Sequence, residues 1–279
     1  MVLRNLYTLT DGVMSRLPIV TTQPDLTRRR TRQLPVIVKR TLTHFDRQSK
    51  IWLESVLESG DLPTNYCGQG CFHCCEFPVQ ATLLEAQHLA AGLPESIWPV
   101  IARRVEHLQR LAGEARDLSD FDEQVRHRLG TCALLDEARK CLAYSRRPLG
   151  CRKTYSTLPG DYCARTAQEQ MTPQEWHQYQ HWISVNPLTG QLDHYIEPLN
   201  DFGSELSEKI LEAMERELGF SVEGELTVLL WLTRSAEVME GFWNGDRSRL
   251  QSVLDQLGLA HPFLTLIDAQ PSPCSGRGE

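Results

Sequence analysis

Apolar residues recur along most of this chain at the three-to-four-residue spacing of helices. Between positions 42 and 58, Leu42, Phe45, Ile51, Trp52, Val56 and Leu57 predict one amphipathic helix, ended by Gly60. Thr82-Leu-Leu-Glu85 has the form of a capping box, in which Thr82 takes a backbone N–H and Glu85 reciprocates. The helix it opens stops at Gly92. Pro94 and Glu95 start another, with Ile97, Ile101, Val105 and Leu108 on its apolar side. A shorter helix is expected from Ser119 to Gly130. Thr172-Pro-Gln-Glu175 is a second capping box, opening a helix that carries Trp176, Tyr179 and Ile183. Residues 203–218 and 225–257 return to the helical period, broken at Gly219 and at Asn244-Gly245. The run Leu226–Leu232 is far shorter than a membrane span and reads as a buried element.

The period fails in two places, residues 61–78 and 131–144. The first is a loop of Pro, Gly and Cys. In the second, Cys132-Ala-Leu-Leu and Cys141-Leu-Ala-Tyr144 flank a polar stretch, as in a small hairpin or paired loops. The fold expected is therefore mainly α: a helical domain with an irregular cysteine-rich metal-binding insert and little β structure. Its divisions are a basic, poorly ordered leader (1–40), a cysteine-cluster domain (41–170), a helical C-terminal region (171–265) and a flexible tail (266–279).

Composition adds limits. Of 279 residues, 41% are hydrophobic and 23% charged, enough for a packed core. The net charge of −7 excludes a surface built throughout for nucleic acid, although residues 1–50 hold ten Lys/Arg against three acids. Arg28-Arg29-Arg30 precedes Leu34–Val38, but five apolar residues are too few for an export signal, and no cleavage site follows. The Arg cluster lacks interleaved aromatics, so nucleic acid is not its expected partner. No membrane association is expected either. The setting is cytoplasmic, where thiols stay reduced and metal binding outranks disulfides.

Nine cysteines then matter by their placement: none before Cys67, eight from Cys67 to Cys163, and Cys274 alone in the tail. Cys67-Gly-Gln-Gly-Cys71-Phe-His-Cys74-Cys75 has ligand spacing, and Gly68 and Gly70 suit the positive-φ turns that aim sulfurs at one ion. The gaps among Cys132, Cys141, Cys151 and Cys163 are too long for a local knuckle, so these sulfurs should meet those of the first loop. Cys74 and Cys75, as neighbours, point apart and suit different metals, or one ligates while the other packs. The candidate ligands are Cys67, Cys71, Cys74, Cys75, Cys132, Cys141, Cys151 and Cys163, and the partner is a metal ion. Sulfur ligation suits zinc or an iron–sulfur cluster alike. Arg146, Arg147, Arg152 and Lys153 could balance the thiolate charge. Tyr144 reads as a packed aromatic, and His73 as a possible nitrogen ligand. The other histidines are scattered; His177 and His181 lack the intervening Glu of a zinc protease helix.

Taken in order, Cys67-x3-Cys71-x2-Cys74-Cys75, Cys132-x-x-Leu135, Cys141-x-x-Tyr144-x-x-Arg147-Pro148-x-x-Cys151-Arg152 and Cys163 resemble the YkgJ-type CxxCxxCC family. Thr82–Glu85 resembles the helix start found there. The match runs from Cys67 to Cys163; the long interval from Cys75 to Cys132, and Ala133-Leu134 in place of Pro-Phe, depart from it. The resemblance implies a domain chelating zinc or iron. One branch is similar to flagellin lysine N-methylase, which implies an Fe–S-dependent enzyme of methyl or electron transfer as the alternative function, without a Gly-rich methyl-donor loop here. A zinc-stapled interaction module is the second alternative. No Walker loop, dinucleotide fingerprint or nucleophile elbow is present to suggest other catalysis.

Overall fold

The first helix, α1, runs Leu34–Ser59. Pro35 sits in its first turn, where a missing N–H costs nothing, and Gly60 ends it in the left-handed conformation, φ +82°. A single inner stripe of Leu34, Val38, Leu42, Phe45, Ser49, Leu53 and Val56 is buried. This corrects the expected leader: residues 34–40 are helix, because Leu34 and Val38 continue the apolar face upstream. Ile51 falls off that stripe and is exposed. The computed structural model describes residues 33–190 and 193–269, so the Arg28–Arg32 cluster and the tail expected at 266–279, beyond its first four residues, lie outside the described residues.

Both capping boxes form. Thr82 opens α2 (Leu83–Ala90) and Thr172 opens α6 (Pro173–Val185), each with its reciprocal Glu. Between them lie α3 (Trp98–Glu114), α4 (Leu118–Arg128) and the one-turn α5 (Leu149–Arg152). The C-terminal part supplies α7 (Glu197–Leu218), α8 (Leu226–Leu232), α9 (Ala236–Asn244) and α10 (Arg247–Leu257). Every residue of α8 is buried. No helix among the described residues is long and apolar enough to cross a membrane. The fold is mainly α.

Three short strands, β1 (Gln80–Thr82), β2 (Phe220–Glu225) and β3 (Leu264–Asp268), form one antiparallel sheet in that order. Ala81 stands opposite Gly224 and Val222 opposite Leu266. This sheet corrects the division expected near residue 170. Pairing of β1 with β2, and one core running from Leu34 to Leu264, join the cysteine region to the C-terminal helices. Packing of α1 on α7 and of α3 on α8 does the same.

The shared core sets the position of α5, the turn that carries Cys151. Glu85 is buried, and its Oε2 accepts from the Thr82 N–H and hydroxyl, both at 2.9 Å. Its Oε1 accepts from Leu149 N at 2.8 Å, so the cap of α2 also caps α5. Two close approaches confine this turn. A Cβ at Gly150 would overlap the carbonyl oxygen of Gln80, and one at Gly203 of α7 would overlap the stem of Lys153. Burial pushes the Glu85 carboxyl above its ordinary pKa, against the pull of these bonds.

Glu85→Ala should therefore cost far more stability than Glu175→Ala, which removes the same local motif from an exposed helix end. Loss of a buried cap that serves three donors is worth about 2–4 kcal/mol. Urea midpoints at unchanged m-value check this; equal losses would show that Glu85 has no role beyond its own helix.

Candidate metal centre

The first cysteine loop turns at Gly70, φ +105°, while Gly68 accepts the Cys71 N–H without a positive φ, contrary to expectation. A 3-10 turn, His73–Glu76, then carries Cys74 and Cys75. Three contacts bring the second cluster to it, and a fourth interaction fixes the backbone that leads into it. The Cys132 N–H donates to Cys75 O at 2.7 Å, and the Arg165 N–H to Glu76 at 2.8 Å. The hairpin closed by the Leu135–Cys141 bridge places the Arg139 guanidinium 4.4 Å from the Phe72 ring centroid. Arg104, buried in α3, donates to the carbonyls of Leu129, Gly130 and Thr131, fixing the backbone just before Cys132.

Seven of the eight cysteines consequently line one cavity of about 900 Å³: Cys71, Cys74, Cys75, Cys132, Cys141, Cys151 and Cys163. Cys67 stands beside it, its sulfur accepting the Ser156 N–H at 3.2 Å and lying within electrostatic reach of Cys71 and Cys74. The lining also takes in Asn200, Ser204, Ser207 and Glu208 of α7, and Lys153 just after α5. None of these eight thiols is in a disulfide. Cys274 lies outside the described residues.

Burial governs their chemistry. It pushes the thiols of Cys67 and Cys132 up to about 11 and that of Cys163 to about 12, and raises Cys141 and Cys151 as well. Cys74 and Cys75 share a hydrogen bond, which favours the thiolate on Cys74 and the thiol on Cys75. Arg147 is the cation felt at Cys67, Cys74, Cys141 and Cys151; its guanidinium stacks 3.6 Å from the Tyr144 ring centroid. The other three basic residues expected to face the sulfurs are engaged elsewhere. Arg146 donates to His88 O, Arg152 pairs with Asp46 of α1, and Lys153 donates to Ser204.

His194 was not singled out by the sequence, yet it is buried against the cluster, with Nε2 3.3 Å from Cys163 Sγ and Nδ1 2.9 Å from the Tyr179 hydroxyl. Gln168 also donates to that hydroxyl, and Nε2 is the imidazole nitrogen that faces the sulfur. Burial lowers the imidazole to about 4, which keeps it neutral. His73 instead has Nε2 3.6 Å from Asp161, and His177 and His181 are exposed.

The donors are soft, half-buried apart from the buried Cys163, and drawn from separate segments, which suits a thiophilic ion. They line a wall rather than meet at a point: among the described residues no group of three or more His, Cys, Asp or Glu side chains is set to hold a metal as it stands. Compared with protein families, curated proteins and solved structures, the chain matches none.

Proposed function

We propose that this chain is a cytoplasmic metal-binding protein that takes up zinc or iron through the cysteine thiolates of this cavity. The observation that carries the reading is the meeting of seven cysteines, distant in sequence, around one cavity whose lining also includes Arg147. The resemblance of the cysteine pattern to the CxxCxxCC family supports it. Buried thiols remain protonated without a counter-charge, and a divalent ion provides that charge while releasing their protons. Zinc would supply a structural cross-link, and an iron–sulfur cluster electron transfer as well.

The chain's own residues have distinct parts in this. Glu85 fixes the turn bearing Cys151, and Arg104 fixes the backbone entering Cys132. Arg147 offsets the negative charge that four thiolates leave around a divalent ion. The neutral His194 offers an N–H to Cys163. A second reading, an iron–sulfur enzyme, draws support from one further feature. The cavity continues past the sulfurs to Lys153, Asn200 and Ser204, which leaves room for a small polar molecule.

Metal analysis and a visible spectrum of protein purified without oxygen test the proposal. Stoichiometric zinc in a colourless protein, or iron with broad visible absorption, is expected. Chelation should then expose residues 61–78 and 131–163 to protease while most helical signal survives. Metal-free protein with both segments protected would overturn the reading. Arg147→Ala should weaken metal affinity about tenfold to a hundredfold, whereas Arg146→Ala, on the neighbouring side chain turned to His88, should leave it unchanged. Equal effects would remove Arg147 from the site.

A further inference from the structure

We propose that the eight thiols divide into two adjacent metal centres, Cys67, Cys71, Cys74 and Cys163 in one, and Cys75, Cys132, Cys141 and Cys151 in the other. This rests on the metal-binding reading and adds the number of centres and the ligands of each. A single thiophilic ion is closed by four sulfurs, so eight converging thiols exceed what one ion takes.

The division begins at the 3-10 turn His73–Glu76. Three residues per turn send successive side chains off about 120° apart, so Cys74 and Cys75 leave on different sides although their thiols touch. On one side, Ser156 gathers the first set. Its N–H donates to Cys67 Sγ at 3.2 Å, while its hydroxyl donates to Leu158 O on the way to Cys163. Gly160, three positions before Cys163, lies against Cys71: a Cβ there would stand 3.2 Å from the sulfur.

On the other side, the backbone bond from Cys132 N to Cys75 O and the Leu135–Cys141 bridge join three members of the second set. The fourth, Cys151, comes from α5, held there by Glu85 and by the close approach of Gly150 to β1. Cys74, next to Cys75 in the same turn, borders both groups. The second set already holds four sulfurs without it, and the first needs it to reach four.

The closing experiment titrates Co²⁺ into the reduced, metal-stripped full chain without oxygen, reading the ligand-field and sulfur charge-transfer bands of tetrahedral cobalt. Two ions per chain are expected. Cys71→Ser and Cys141→Ser should each saturate at one ion and keep a tetrahedral sulfur spectrum, since each leaves the other set whole. A wild-type endpoint of one ion, or of more than two, would overturn the division while leaving the metal reading intact. Absence of any sulfur–cobalt band would overturn both. Loss of both ions in either variant, with helical circular dichroism retained, would show one shared centre. Should a variant lose its helical signal, the wild-type endpoint decides.

Discussion

Gathering sulfur away from water is the constraint on which this molecule turns. A thiol is a modest burden in a protein interior, but a thiolate there is costly unless a cation faces it. Here eight thiols are drawn together, and burial raises most of them well above their ordinary ionisation range. The guanidinium of Arg147 lines the same cavity and favours the thiolate at four of them. Under the proposed function, a divalent ion would supply the remaining counter-charge.

The scaffold confines the backbone more tightly than the sulfurs. Cys151 sits on a single helical turn, which could not hold its place by local propensity. It is positioned instead by a buried carboxylate shared with α2, by the carbonyl of Gln80 pressed against Gly150, and by Gly203 of α7. The sheet that supplies Gln80 also carries β2 from the C-terminal region. Through these contacts the helices after residue 170 help to place a cysteine in the middle of the chain. The C-terminal region is therefore part of the candidate site's architecture, not an appended body.

The helices were legible in the sequence because their signals are local. Capping boxes at Thr82 and Thr172, glycine stops at Gly60 and Gly219, and the apolar stripe of α1 each lie within a few residues. The three strands were not, being too short for alternation to show; β2 is buried at nearly every position. Among the candidate ligands, the residues could be named from spacing, but their neighbours could not. Nothing at Glu85 announces a bond to Leu149, 64 positions on. Arg147 and Arg146 look alike in sequence, and only the fold turns one toward the sulfurs and the other toward His88.

His194 shows the limit most clearly. It lies 31 positions beyond Cys163, and the sequence around it has no ligand spacing. With Cys163 as a metal-bound thiolate, which can only accept, the imidazole proton would sit on Nε2 and Nδ1 would accept from the Tyr179 hydroxyl. A neutral N–H directed at sulfur favours the thiolate without adding a full charge to an interior that already holds the Arg147 cation. Such a bond adjusts how tightly one sulfur holds its metal, as outer partners of metal ligands do. Near an electron-transferring cluster, the same bond would raise the reduction potential by stabilising the more negative state. The imidazole thus bears on both functional readings, through the proton that a thiolate at Cys163 would hold on Nε2.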